Sequence, residues 1–314
     1  MSLMMKKLLI FLLTLTACSD LLWAQATDDN SQIAIHTKCV SHIDTLSRTE
    51  TPCIANIRPI TSTLELHLGS ASVRNTYLAP LLYTGQDLGL HYERARRWKN
   101  LGIMSLQSLS GQFTTGDDRG SHSENWSGRL RYRYAAMLNC DLFFLTLMAG
   151  PYVGGDLGFD YNLKMAGGNN PATARIALNT GASLMGAFHY RIFDRRTKFT
   201  LQLQAPLLGY AFMPEYGASY YETFYLDKTQ NQHHLTSLHN QQDLDLRLTA
   251  EAPLWPNRGG ALRLGLGYHI ETMDINHTVT RFSAIEAIVG WTLQSIPYNP
   301  RKSNLKNLMT YEAY

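Results

Sequence analysis

Apolar and polar residues alternate along most of the middle of the chain. The clearest run begins at Trp126, where Leu130 lies in one set of alternate positions and Arg129, Arg131 and Arg133 lie in the other. Successive side chains of a β-strand point to opposite sides, so the three arginines share one face of a strand. A helix would distribute them around its circumference. The pattern therefore predicts a strand with one apolar and one basic face.

The same alternation recurs throughout residues 60–295, where helical periodicity is nearly absent. Several runs exceed the ~9–11 residues that a tilted strand needs to cross a membrane. We count about ten runs, and bacterial single-chain membrane barrels have an even number of strands. The predicted fold is all-β, an antiparallel up-and-down transmembrane β-barrel of about ten strands formed by residues 60–295. The rival interpretation is a soluble lipocalin-like periplasmic binding protein with the apolar face inward, since alternation does not distinguish inside from outside.

The segments between the runs form a second pattern. Tight connections are predicted at 99–100, 139–140, 193–196 and 255–260, long ones at 73–85, 115–125, 158–172 and 209–237, and a short last one at 275–277. Tight periplasmic turns alternate with longer outer loops in membrane barrels. An even strand number that starts at the tight-turn end places both termini in the periplasm.

Composition and charge exclude several protein classes. Of the 314 residues, 45% are hydrophobic and 17% are charged, and the formal net charge is +3. The charged fraction is below the ~25% that is usual for soluble domains. No basic block is present, which argues against a nucleic-acid partner. We therefore expect outer-membrane lipid around the protein and no nucleic acid.

Residues 1–26 have the pattern of a signal peptide. Lys6 and Lys7 precede a short apolar stretch, and residues 24–26 form a small-x-small cleavage site. The alternative is a lipoprotein box that ends at Cys18. Export by either route indicates the outer membrane of a Gram-negative cell.

The segments that flank the predicted barrel are polar. Residues 27–59 are predicted to be a periplasmic N-terminal segment and residues 296–314 a C-terminal tail. In an exported protein Cys39 and Cys53 can form a disulfide or stay free, and Cys140 has no obvious partner. No cysteine or histidine spacing matches a metal site, so no cofactor or metal is expected.

The polar faces of the predicted strands are rich in ionisable residues. A ten-stranded barrel has a narrow interior, and opposite charges are expected to pair across it because an unpaired buried charge is costly. This arrangement predicts a structural plug of salt bridges. The alternative is a narrow channel or transporter for small anions. The lumen-facing candidates are Arg129, Arg131, Arg133, Arg175, Glu93, Asp243 and Asp245, and the same faces carry Glu65, His67, His91, Arg247, Glu251, Arg263, His269, Glu271 and Glu286.

Two motifs resemble those of a known family. They are QAPLLGYAFMPEYGASYYE at 204–222 and NTYLAPLLYTG at 75–85. With them, most of residues 60–295 resembles a family of exported Bacteroides-type proteins of unknown function that are expected to be outer-membrane β-barrels. The resemblance implies this fold and location but no catalytic residue and no ligand.

Both motifs are predicted at the outer ends of strands. One interpretation is a ligand-facing aromatic surface, and the one that we favour is a folded loop whose aromatic residues form a small core of their own. The outer-loop candidates are Tyr77, Pro80, Tyr83, Pro214, Tyr216, Tyr220 and Tyr221.

Enzymatic activity is not expected. Some ten-stranded membrane barrels are proteases with Asp and His at the outer rim, and the predicted outer loops here contain Asp117, Asp118, His122, His233 and His234. No nucleophile elbow and no carboxylate pair at a defined spacing accompanies them. The sequence thus predicts a non-enzymatic outer-membrane barrel with a structural or surface-binding role, and it assigns neither a ligand nor an oligomeric state.

Overall fold

The computed structural model describes residues 60–98, 102–120, 123–142, 144–163, 171–192, 195–214, 221, 225–226, 232–254 and 260–295. The predicted signal peptide, the segment 27–59 and the tail 296–314 lie outside these residues, and so do Cys18, Cys39 and Cys53.

The described residues form eleven strands, most of them long. They are β1 (Ile60–Asn75), β2 (Ala79–Arg97), β3 (Ile103–Asp117), β4 (Glu124–Leu142), β5 (Leu145–Asn162), β6 (Ala172–Ile192), β7 (Arg195–Phe212), β8 (His233–Ser237), β9 (Gln241–Pro253), β10 (Gly260–Ile275) and β11 (Thr278–Ser295). None of the helices within the described ranges is long and apolar enough to span a membrane.

Ten of these strands close into a barrel. Each strand from β1 to β7 pairs antiparallel with the next, β7 pairs with β9, and β11 pairs with β1. The short strand β8 pairs with the last residues of β7, where Tyr210 faces Leu235. The predicted antiparallel up-and-down barrel of ten strands is confirmed. We call the end that contains Ile60 and Ser295 the termini end and the opposite end the loop end.

Burial alternates along most of the long strands, and near the middle of the barrel the polar residues lie inside. On β1, Leu64, Leu66 and Leu68 are exposed, whereas the intervening Glu65 and His67 are buried. A soluble barrel needs the opposite arrangement, because its apolar side chains must leave water. The outward apolar residues form a surface that we call the apolar belt, which includes Leu64, Leu66, Leu68, Leu88, Leu90, Leu130, Leu178, Leu184, Leu201, Leu248, Leu264, Leu266, Tyr268, Ile270, Ile285 and Val289. This distribution is that of a transmembrane β-barrel.

The predicted long connection at 73–85 is wrong. The ladder between β1 and β2 continues to the pair Val73–Tyr83, so the connection is confined to residues 76–78. Beyond Tyr83 the register shifts, and Pro80 lies in a bulge of β2. Proline is tolerated there because a bulge leaves residues outside the ladder and needs no N–H donor from them.

The predicted turn at 139–140 is also wrong. Cys140 pairs with Leu147, and β4 continues to Leu142. Cross-strand hydrogen bonds in a long ladder outweigh the local turn preference of the sequence around Asn139. Cys140 is an exposed free thiol.

The last connection at the loop end is the tightest. Asn276 and His277 join β10 to β11 with φ angles of 54° and 59°. Positive φ at both central residues is the requirement of a type I′ hairpin turn, and asparagine adopts this conformation more readily than most residues. The short connection predicted at 275–277 is therefore confirmed.

Candidate functional site

Charged side chains from most strands meet in the middle of the barrel. The alternation of the strands places them there, because side chains at alternate positions point into the barrel. We call this set the interior network. It consists of Glu65, His67, Asp87, His91, Glu93, Arg129, Arg131, Arg133, Asp156, Asp160, Arg175, Lys198, Asp243, Asp245, Arg247, Glu251, Arg263, His269, Glu271 and Glu286.

The end of the network nearest the loop end has Glu271 of β10 at its centre. Arg129 Nη1 donates to Glu271 Oε2, and Arg175 Nη2 donates to the same oxygen at 2.9 Å. The guanidinium of Arg129 also lies 3.5 Å above the centroid of the Phe282 ring, a cation–π contact. One carboxylate therefore bridges two arginines that flank β5 on the other side of the barrel, where both are level with Gly158.

The other two arginines of β4, Arg131 and Arg133, face the carboxylates of β9. Arg133 Nη2 donates to Asp243 Oδ2 at 3.0 Å, and its Nη1 lies 3.3 Å from Asp245 Oδ2. Arg131 Nη1 lies 3.8 Å from the same Asp245 oxygen and 3.0 Å from His269 Nε2. The arginines at 129, 131 and 133 share one face, as the alternation predicts, and each has a carboxylate within ion-pair distance.

A second hub lies around Glu65, which is fully buried. Arg263 Nη1 donates to Glu65 Oε1 at 2.5 Å, and Arg247 Nη1 lies 3.6 Å from Glu65 Oε2. The neighbouring strand makes room for this side chain with Gly290, where a Cβ would come within 2.8 Å of Glu65 Cγ. The same two arginines reach Glu93, at 3.3 Å from Arg263 and 3.4 Å from Arg247.

Two buried histidines have partners of opposite charge. His67 Nδ1 lies 2.5 Å from Glu286 Oε2, and its Nε2 lies 3.0 Å from Glu65 Oε2. A ring that donates from both nitrogens satisfies two carboxylates. His91 Nε2 lies 2.6 Å from Arg247 Nη1, and because arginine only donates, this nitrogen is the acceptor. His67 therefore lies between carboxylates, whereas His91 lies beside a cation.

The network leaves a small cavity at mid-height. Its volume is about 30 Å³, enough for one or two water molecules, and His67, His91, Gln112, Arg131 and His269 are among its lining residues. Across the part of the chain that the structure describes, no three His, Cys, Asp or Glu side chains are arranged to hold a metal ion. The arrangement neutralises charge and offers space for water.

Apolar side chains fill the interior on either side of the network. Toward the termini end, β3 to β6 each contribute a buried methionine to one cluster, which also contains Tyr152. These methionines are Met104, Met137, Met148 and Met185. Toward the loop end, smaller clusters form around Met273 and around Phe282.

The first outer motif contributes to packing at the loop end. Tyr77 and Tyr83 are buried, and the Tyr83 hydroxyl lies 3.0 Å from Ser123 Oγ and 2.6 Å from Asn162 Nδ2. Pro80 is exposed in the bulge of β2. Tyr83 thereby ties β2 to the connection before β4 and to the end of β5.

The second motif is described only in part. Pro214 is buried, and the exposed ring of Tyr221 stacks on Tyr225 with centroids 4.8 Å apart. Tyr216 and Tyr220 lie outside the described residues. Of these four residues the structure describes Pro214 and Tyr221, and a shared aromatic surface or core of the motif stays a prediction.

Two of the rim residues considered for catalysis, Asp118 and His233, have local partners. Asp118 Oδ1 accepts a hydrogen bond from the Ser123 amide at 3.1 Å, and the His233 ring stacks on Tyr210 at 5.7 Å. His122 lies outside the described residues.

Four members of the interior network escaped the sequence analysis. Asp156 and Asp160 lie on β5, where glycines at 154, 155 and 158 obscure the alternation. Lys198 lies two residues before Thr200 and therefore shares the polar face of β7. Asp87 lies two residues before Gly89 and shares the polar face of β2 in the same way. Continuing the alternation by one more step would have identified both. The cross-barrel partners of each charge were not predictable, because they depend on strand tilt and register.

Several solved structures are similar to this chain in fold. Outer membrane protease OmpT from Escherichia coli has 10% sequence identity and a TM-score of 0.42, covering 80% of this chain and 99% of that chain. The translocator domain of autotransporter NalP from Neisseria meningitidis has 8% identity and a TM-score of 0.39, and the match covers 87% of this chain and 97% of that chain. The COG4313 outer membrane channel from Pseudomonas putida F1 has 10% identity and a TM-score of 0.33, and the match covers 80% of this chain and 100% of that chain.

These likenesses carry no conclusion about activity. No curated protein matches the chain in sequence. A family model described as "Protein of unknown function (DUF3316)" matches residues 8–300, and the chain therefore belongs to this family.

Proposed function

We propose that this protein is a non-conducting β-barrel of the bacterial outer membrane with a structural or surface-binding role. The observation that carries the proposal is the interior network, which fills the middle of the barrel with paired charges. The apolar belt supports the location, because exposed leucines on all sides suit contact with lipid chains and not with water. Export through a signal peptide at residues 1–26 and an origin in Bacteroides-type bacteria remain predictions.

The pairing of the arginines argues against the alternative of an anion channel. Arg129 and Arg175 share Glu271, while Arg131 and Arg133 share Asp245. An anion that passes through the barrel must displace carboxylates from these arginines, and breaking a buried ion pair costs several kcal/mol. The arginines therefore act as supports of the wall, and they offer an anion no continuous path.

The test is conductance of the full-length protein in planar lipid bilayers. We expect no discrete current steps at any applied voltage, because ions would have to separate the buried ion pairs of the interior network to pass. Insertion is verified independently by heat-modifiable gel mobility and by the need for detergent during extraction. Reproducible steps with anion preference would overturn the proposal in favour of a channel. Recovery in the periplasmic fraction after osmotic release would instead favour a soluble binding protein.

A further inference from the structure

Two arginines lie side by side on the outside of the barrel near the loop end. Arg74 of β1 and Arg281 of β11 are direct partners in the register of the two strands. Both point outward, because the adjacent Val73 and Phe282 are buried inside. Like charges at directly opposed positions destabilise a strand pair, so this arrangement calls for a compensating anion.

Protein groups do not supply that anion. Within the described part of the chain, neither guanidinium makes an ion pair, and Arg74 Nε is shielded from solvent without a hydrogen-bond partner. The outward neighbours Ser72 and Ser283 are uncharged and bond to each other at 3.1 Å. Asp274 of β10 is a diagonal neighbour of Arg281, two residues from its direct partner Thr272. The Asp274 carboxylate forms no ion pair with the Arg281 guanidinium.

The two arginines stand just beyond the edge of the apolar belt. On β11 the belt ends at Ile285, and on β1 it ends at Leu68, after which the outward positions are serines. Four residues separate Ile285 from Arg281, roughly 13 Å along a strand. Because the strands are tilted, the distance along the membrane normal is shorter than this distance along the strand. A flexible arginine side chain can span much of it. The guanidinium groups are thus positioned at the level of lipid headgroups when the belt lies in hydrocarbon.

We propose that Arg74 and Arg281 together bind a phosphate group of a membrane lipid at the loop end of the barrel. Two guanidinium groups present parallel N–H donors that match the oxygens of one phosphate, and this pairing is among the strongest that arginine makes. The proposal rests on the membrane location proposed above. It identifies a phosphorylated lipid as a specific partner of the outer wall.

The experiment measures lipid binding to the full-length protein in detergent micelles by native mass spectrometry. The probes are lipid A, which carries two phosphates, and enzymatically dephosphorylated lipid A with the same acyl chains. We compare wild type with the double variant Arg74→Gln/Arg281→Gln and with Arg119→Gln, which removes one exposed arginine from the connection 118–123 at the same end. We expect lipid A to lose about tenfold in affinity in the double variant and to be unchanged in Arg119→Gln.

Folding of the double variant is not at risk, since it removes a repulsive pair. Equal binding of the two lipids by wild type, or an equal loss in Arg119→Gln, would overturn the proposal. Full competition by millimolar inorganic phosphate would also overturn it, because the site would then recognise free phosphate without lipid. If the protein is soluble without detergent, both the proposed membrane location and the proposed lipid site are wrong. If it is a detergent-dependent, heat-modifiable barrel that binds the two lipids equally, only the lipid site is wrong.

Discussion

The two faces of β4 follow opposite rules. On the outside Leu130 is 40% exposed and Trp126 is equally exposed, whereas on the inside Arg129 and Arg133 are only 6% and 4% exposed. In a water-soluble barrel the two classes of residue would change places. The comparison indicates that the outer face is adapted to an apolar solvent, while the charges inside obtain from each other the partners that water normally supplies.

This difference decides what a substitution costs on each face. An outward side chain needs only to be apolar, because lipid chains adapt to its shape. An inward side chain needs particular partners, since removing one member of a buried pair leaves an uncompensated charge. The same chemical change is therefore expected to have opposite consequences at neighbouring positions.

The largest effect is expected for Glu65→Leu. The substitution removes the carboxylate that contacts Arg263, Arg247 and His67, so cations remain without compensation in the interior. We expect a loss of about 3–5 kcal/mol in the free energy of unfolding, measured by urea titration of the protein in lipid vesicles.

Two further variants show whether the charge is responsible. The double variant Glu65→Leu/Arg263→Leu should recover part of the loss, because it also removes the arginine nearest to Glu65. The other carboxylates beside Arg263 keep a cation, Glu251 with Lys198 and Glu93 with Arg247. Glu124→Gln changes a glutamate at the loop end whose side chain accepts a hydrogen bond from the outward Trp126, and it should cost less than about 1 kcal/mol. A single Glu65→Leu variant as stable as wild type would show that the interior charges are not coupled.

The next largest effect is expected for Leu130→Arg, which places a charge in the apolar belt. An arginine on the lipid face near the midplane costs about 2–4 kcal/mol in membrane barrels. The matched change one residue further, Arg131→Leu, should cost less, because Asp245 keeps its contacts with Arg133 and Arg247. Heat-modifiable gel mobility reports the fraction of assembled barrel for each variant.

Cysteine labelling from the lipid phase checks the same comparison independently. A cysteine at position 130 should react with a lipid-soluble reagent, and one at position 131 should not. Labelling of 131 but not of 130 would mean that the polar face points outward, and both the membrane assignment and the interior network would then be wrong.

The sequence was sufficient for the architecture because the two-residue period is a local signal. Arg129, Leu130 and Arg131 alone fix which side chains share a face, and ten such runs fix the strand number. The strand ends were less predictable. The ladder of β4 and β5 continues through the turn signal at Asn139–Cys140, and β2 accommodates Pro80 in a bulge. Neither outcome is visible in a local sequence window, because each depends on hydrogen bonding to a neighbouring strand.

The interior was predictable in kind but not in detail. A row of arginines in a narrow barrel requires carboxylates nearby, so a plug of ion pairs was expected. The pairing of Arg129 with Glu271, across 142 positions of the chain, depends on the tilt of β4 and β10 and on the shear of the closed sheet. The pairing of Met104 with Met137 depends on the register of β3 and β4, which a local sequence window does not contain.

The smallest effect is expected for Tyr83→Phe at the loop end. The change removes the hydroxyl that contacts Asn162 and Ser123 inside the barrel while it keeps the ring. Losing a buried hydrogen bond costs about 0.5–1.5 kcal/mol, and Asn162 keeps the bond that its Oδ1 accepts from Ser123. Tyr161→Phe is the matched control, because Tyr161 lies on the outward face and its hydroxyl meets the surroundings. We expect a measurable loss in urea midpoint for Tyr83→Phe and a change within about 0.5 kcal/mol for Tyr161→Phe. Equal effects at the two positions would mean that hydrogen bonding at the loop end does not distinguish the inside of the barrel from the outside.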